Sequence, residues 1–326
     1  MHKATSVTHA SARTRRKGLM LASLGAILFS AKAIIVKLAY RYGVDAVTLI
    51  MYRMLFALPL FLVLTWWAGL DKPALTWRDA RAALGLGFCG YYLASFLDFA
   101  GLKYVSASLE RLILYLNPTL VLCLGMVLFK RGASRGQWIA LAVSYLGVLC
   151  VFGQELSLKG ENVPLGAALI FGSAASYAVY LSFSGEEVKR LGAARLTGLA
   201  TSVACVICIA QFFLLEPVSA MVVAPQVLWL SVLNATLCTF APVLMVMMAI
   251  ERVGATLTAQ TGTIGPLSTI LMAVVFLGEP FTPWVAAGTA LVVAGIWLLA
   301  RRPAAARATT DRDDRINEDS EASDHG

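Results

Sequence analysis

The chain has 326 residues, of which 59% are apolar or aromatic and 14% charged, and its mean hydropathy is +0.74. A water-soluble fold of that length needs far more polar surface, so an ordinary soluble domain is excluded and the lipid bilayer is the expected solvent and first partner. The formal charge of +8 lies in short clusters between apolar runs, not along one face with interleaved aromatics, which excludes nucleic acid as a partner.

Residues 1–17 are polar and basic and read as a disordered cytoplasmic tail. Ten apolar windows follow, each near the ~20 residues that a helix needs to cross a bilayer core. They are predicted at Leu19 to Ala39, Asp45 to Ala68, Ala82 to Ala100, Ala107 to Phe129, Gly136 to Gly153, Pro164 to Ser184, Leu196 to Leu215, Val227 to Ile250, Thr256 to Leu277 and Trp284 to Ala300. The first window, with Arg13 to Lys17 before it and Ala31-Lys32-Ala33 inside it, also imitates a secretory leader, but the repeat described below requires it as a full helix. The gaps are short and hold turn residues or charges, as in Asp71-Lys72-Pro73 and Gly278-Glu279-Pro280. Residues 303–326 alternate Asp, Glu and Arg and read as a second disordered cytoplasmic tail.

With the N-terminus inside, twenty Lys and Arg fall in the tails and even-numbered gaps, against three in the others, namely Arg41, Lys103 and Lys159. That bias predicts a multi-pass protein of the cell membrane with both termini cytoplasmic. All six cysteines lie in apolar runs, and the Cys205-Val206-Ile207-Cys208 pair has no companion ligands, so packing is its expected role. The three histidines, His2, His9 and His325, sit in the tails. Neither a metal nor a cofactor is expected, and histidine-based catalysis in the membrane has no residue to use.

A shift of 148 residues superimposes the two halves without a gap, placing Gly18 on Gly166, Val105 on Val253, Ala107 on Ala255, Pro118 on Pro266 and Gly147 on Gly295. The same shift places spans one to five on spans six to ten, so residues 18–153 and 164–300 form two repeats. Five is odd, so the second copy must enter the bilayer upside down. The predicted fold class is therefore all-α integral membrane, ten transmembrane helices as two inverted five-helix repeats. Such pairs suit alternating access, in which a central site opens first to one side and then to the other.

Phe29, the stretch Met51-Tyr52-Arg53-Met54-Leu55-Phe56-Ala57, Val105-Ser106-Ala107-Ser108 leading to Asn117-Pro118, and Val253-Gly254-Ala255-Thr256 leading to Gly265-Pro266 and Leu277-Gly278-Glu279 carry a likeness. In these motifs, over roughly residues 18–300, the sequence resembles the EamA-type transporters of the drug/metabolite transporter superfamily. The resemblance implies export or uptake of a small metabolite, export being preferred, through a cavity between the repeats; a homodimer is a further expectation. The first copy reads Leu128-Phe129-Lys130-Arg131 where the family has Gly-Glu, so Glu279 is expected to be a helix-end or loop feature. An intramembrane enzyme or a membrane sensor without transport activity is the rival reading.

An ionisable side chain in hydrocarbon is costly, so by default it faces a cavity or a partner. Lys32, Arg53, Asp98, Glu110 and Arg111 are such residues, and all lie in the first half; their counterparts under the shift are Tyr180, Thr201, Val246, Thr258 and Ala259. Lys32 and Arg53 are candidates to hold a carboxylate or phosphate, which predicts an anionic or zwitterionic small-molecule substrate. Otherwise Lys32 snorkels to the interface and Arg53 pairs with Asp98 or Glu110 as a structural tie. Asp98 and Glu110, with Arg111 adjacent, are the candidates for coupling to a proton. Pro118 and Pro266 fall mid-span at matching positions, where each removes a backbone hydrogen bond and marks a helix break. Tyr92, Tyr115, Asn117, Tyr180, Gln260 and Thr263 are candidates to line the cavity, although such groups also bond across helices without touching substrate.

Overall fold

The computed structural model describes residues 3–70, 72–129, 134–159, 162–262 and 264–300. Among these the regular structure is helical throughout, as hydrocarbon demands, because a helix satisfies its own backbone polar groups. Helix α1 spans Lys3–Tyr40, so helix covers residues 3–17, which composition alone assigned to a disordered tail. The correction has a simple cause: once the apolar span is helical, each added Ala, Arg or Lys contributes a hydrogen bond at no nucleation cost. The C-terminal tail lies outside the described residues.

Helix α2 (Ala46–Trp67) starts on Asp45, whose side chain accepts from Thr48 N. Helix α3 (Trp77–Gly87) starts on a reciprocal Thr76/Asp79 capping box, continues through a π-helical stretch, Phe88–Leu93, and ends as α4 (Ala94–Gly101). The fourth window is two helices, α5 (Ala107–Leu114) and α6 (Asn117–Phe129), followed by α7 (Arg135–Lys159). The second half begins with α8 (Val163–Leu191) and α9 (Ala193–Leu215), joined at Gly192, whose φ of 84° suits a residue without Cβ. Then come α10 (Pro225–Ala235), a π-helical stretch Thr236–Phe240, α11 (Ala241–Thr261), α12 (Ile264–Met272), a π-helical stretch Ala273–Leu277, and α13 (Pro283–Ala300). The π-helical stretches at Phe88 and Thr236 begin 148 residues apart, the shift read from the sequence.

Among the described residues, eight helical segments are long and apolar enough to cross a membrane; Ile264–Leu277 and Pro283–Leu299 are apolar but shorter. The loop expected between Ile250 and Thr256 is also absent, because α11 keeps helical hydrogen bonding to Thr261. The chain nevertheless turns back along α1: on α11, Pro242 and Met245 meet Gly25 and then Arg252 and Val253 meet Gly18, and on α12 Gly265 returns to Ser30.

Helices in corresponding places of the two halves run antiparallel. Along α7 and α13, Gln154 bonds Thr282, Gly147 meets Gly288, and Ser144 meets Gly295. Along α2 and α9, Gly69 lies beside Arg195, Thr65 beside Gly198, and Met54 beside Cys205. Glycine permits these close crossings, since a Cβ at Gly147 or Gly288 would strike the other's backbone carbonyl.

Candidate functional site

Three elements of the first half meet in the bundle interior. Lys32 on α1 places its Nζ 2.5 Å from Asp98 Oδ2 on α4 and 3.4 Å from Glu110 Oε1 on α5. The Glu110 side chain is fully buried, and the Lys32 side chain keeps 13% exposure. Successive residues on a helix diverge by about 100°. Even so, Arg111 Nε lies 3.9 Å from Glu110 Oε2, and Arg111 Nη2 donates to the carbonyls of Phe29 at 3.1 Å and Ser30 at 3.3 Å. Arg111 therefore ties α5 to α1. Ser30 extends the tie to the second half, donating to Gly265 O at 2.9 Å, while Thr269 donates to Ser30 O at 3.4 Å.

Arg53 enters from α2 at 6% exposure. Its Nε donates to Thr239 Oγ1 at 3.1 Å, its guanidinium lies 5.1 Å from the Phe99 ring centroid, and its Nη1 is buried without a hydrogen bond. Among the described residues no carboxylate lies within ion-pair distance of it. The expected pairing is thus reversed: Lys32 takes Asp98 and Glu110, and Arg53 is left with a hydroxyl and a ring. With every group ionised, the cations Lys32, Arg53 and Arg111 face, among the described residues, only the carboxylates Asp98 and Glu110.

The broken helices border this cluster. Pro118 is the second residue of α6 and Pro266 the third of α12, so each sits just inside a helix start, where a missing N–H leaves no bond unmade. Regular α-helix is interrupted at Tyr115–Leu116 and again between Thr261 and Ile264, so neither proline sits mid-helix as the sequence suggested. Tyr115 at the first break donates to Gly262 O at the second, at 2.7 Å. Asn117 at the head of α6 keeps a buried Oδ1 without a hydrogen bond. Two carboxylates hold the N-terminal end of α5, where unpaired N–H groups and the helix dipole favour negative charge. Glu155 accepts from Ser106 N at 3.0 Å and from its hydroxyl, and Glu279 accepts from Ala107 N at 2.8 Å and Ser108 Oγ at 2.8 Å. Glu279 does follow a helix end, and from there it caps a helix of the other half.

Tyr180, the counterpart of Lys32, lies elsewhere. It stacks on Tyr177, faces Tyr91 OH across 3.3 Å, and joins a cluster with Leu86, Leu191 and Leu196. Tyr92 is half-buried between Phe88 and Phe96. The Gln260 side chain and Thr263 lie outside the described residues. Sequence reasoning missed Thr239 and Asn234. Asn234 was readable as a lone amide inside the eighth window; its Oδ1 and Nδ2 are buried without hydrogen bonds. Thr239 gave no signal, because its role arises from the π-helical turn, where its hydroxyl donates to Asn234 O at 2.8 Å and so faces Arg53.

The two ends of the bundle differ. At one end a cavity of about 480 Å³ is lined by Lys37, Tyr40, Arg41, Leu102, Lys103 and Glu279. Its floor is one helical turn from the cluster: Tyr40 OH donates to Phe99 O at 2.6 Å, and Leu102 N to Asp98 O at 2.9 Å. At the other end the halves are tied together, Arg190 pairing with Asp79, Lys72 donating to Leu191 O, and Arg195 donating to Pro73 O at 3.0 Å.

Known proteins bear on this geometry. The model of the EamA-like transporter family matches residues 16–153 and again 164–301. The Bacillus subtilis protein called uncharacterized transporter YcbK is 30% identical over 283 residues, 82% of this chain and 87% of that one. A second protein of that organism, uncharacterized transporter YyaM, is 25% identical over 265 residues, 79% of this chain and 81% of its own. A crystal structure at 18% identity shares the fold with a TM-score of 0.59, covering 88% of this chain and 99% of that one. With two matched copies spanning nearly all of its apolar length, this multi-pass membrane protein belongs to the EamA-like transporter family.

Proposed function

We propose that the chain is a secondary-active exporter of a small anionic or zwitterionic metabolite, working by alternating access between two inverted repeats of five helices each, in the cell membrane, with both termini cytoplasmic. The observation that carries the reading is the sharing of Lys32 between Asp98 and Glu110 beside an Arg53 that lacks a carboxylate. Buried ionisable groups are retained in membranes where they face substrate or a proton path. The ionised cluster has one more cation than carboxylates, so one negative charge of a substrate would balance it. A proton on Asp98 or Glu110 would leave Lys32 with a single partner and raise the cluster's affinity for an anion. Linkage then runs both ways: the proton favours the anion and the anion favours the proton.

Antiparallel counterpart helices, two matched breaks, and a bundle tied at one end with a cavity at the other support the alternating-access part of the proposal. Lys72, Arg78 and Arg195, which the charge bias assigns to the cytoplasm, lie at the tied end, so the described state would be open outward. The test is counterflow in proteoliposomes across amino acids, organic acids and organic cations, with an internal pH dye. Saturable counterflow of a carboxylate-bearing solute, accompanied by proton movement, is expected. Saturable flux confined to organic cations would refute the anion reading, and anion exchange without any pH change would refute proton coupling.

A further inference from the structure

Apart from the cluster, the molecule holds a second large recess, a groove of about 1010 Å³ between α1 and α11. Gly18 lets the two helices meet there, since a Cβ at that position would strike Val253 and Arg252. The groove is strongly polarised along its length. One end carries Arg15, Arg16 and Lys17 from α1 and Arg252 from α11; the rest is apolar apart from Ser23, with Met20 62% and Leu24 46% exposed on its wall. Among the described residues no carboxylate forms an ion pair with any of these four cations.

We propose that this groove is a binding site for an anionic phospholipid, its headgroup phosphate held by the four cations and its acyl chain laid along Met20 and Leu24. A topology signal needs only basic residues near the interface. It does not need residues from two helices, more than two hundred positions apart in sequence, to converge at the head of one apolar channel. A small soluble anion would use the cations and leave the apolar wall to no purpose, whereas a phospholipid matches both ends of the groove. Filling it would join the first half to the second along α1 and α11, the contact that must change if the halves rock.

Native mass spectrometry of the full-length protein from equimolar phosphatidylglycerol and phosphatidylcholine tests this. Each basic side chain near an anionic surface is worth roughly fivefold in affinity. Phosphatidylglycerol should be retained in clear excess, and Arg252→Gln or Arg16→Gln should each lower that excess roughly fivefold. Arg135→Gln, an exposed residue at the start of α7, should leave it unchanged. Equal retention of the two lipids, or an excess that survives Arg252→Gln and Arg16→Gln, would overturn the proposal. Displacement of the bound lipid by millimolar inorganic phosphate would also overturn it, showing a site for free anions.

Discussion

The two halves share one frame and differ in chemistry. Where the first carries Lys32, Arg53, Asp98, Glu110 and Arg111, the second carries Tyr180, Thr201, Val246, Thr258 and Ala259 148 residues on. Lys32 binds two carboxylates, while Tyr180 sits in an aromatic cluster against Gly90. Yet the matched π-helical stretches and helix breaks, and the antiparallel glycine crossings, persist. Backbone shape is thus set by glycine, proline and small residues that both halves retain, and the polar chemistry is supplied by a few side chains in one of them.

The largest effect that would sharpen this contrast comes from removing one charge and stranding its partners. Lys32→Ala leaves Asp98 buried without its cation and Glu110 with Arg111 alone, and breaking a buried pair in this way costs about 3–5 kcal/mol. Thermal unfolding in detergent should show a large fall in Tm, recovered when Asp98→Asn is added, which leaves Glu110 with Arg111. The counterpart change Tyr180→Ala removes no charge and should behave as an ordinary loss of a buried aromatic.

Next in size is a shape change at a crossing that the halves share. Gly288→Leu forces side-chain atoms against the Gly147 carbonyl and Val151, and overpacking of this kind costs about 1–3 kcal/mol. Gly147→Leu and Gly295→Leu, at positions that the 148-residue shift superimposes and where a Cβ would strike the carbonyl of Gly288 or Ala140, should cost similar amounts; a large inequality between those two would break the symmetry of the frame.

The smallest of these effects belongs to Glu279. Glu279→Ala removes acceptors from Ala107 and Ser108 at the head of α5, and loss of a helix cap costs about 0.5–2 kcal/mol. Hydrogen exchange should rise at the first turn of α5 and remain unchanged in α13.

Much of this was legible in the sequence, for reasons that can be named. Hydropathy marks the spans because hydrocarbon tolerates little else, and the repeat survives because paired glycines and prolines cannot drift without blocking a crossing or a break. The five intramembrane charges stood out by cost alone. Their pairing did not, since it depends on which of three cations reaches Asp98 first, and that is a matter of rotamer and helix rotation. Nor did the helical path through residues 250–256, or the way Thr239 faces Arg53, because both arise from tertiary contacts and not from local composition.

The central claim is that the first half's charges do the binding and coupling, and removal of its closest ion pair tests it most directly. Lys32→Gln with Asp98→Asn removes that pair whole and leaves Glu110 with Arg111, so no charge is stranded and the protein should unfold near the wild-type temperature. Counterflow of the carboxylate-bearing solute that the wild type carries, and the proton movement with it, should then be lost. Counterflow and proton movement at wild-type rates in that folded variant would contradict the account.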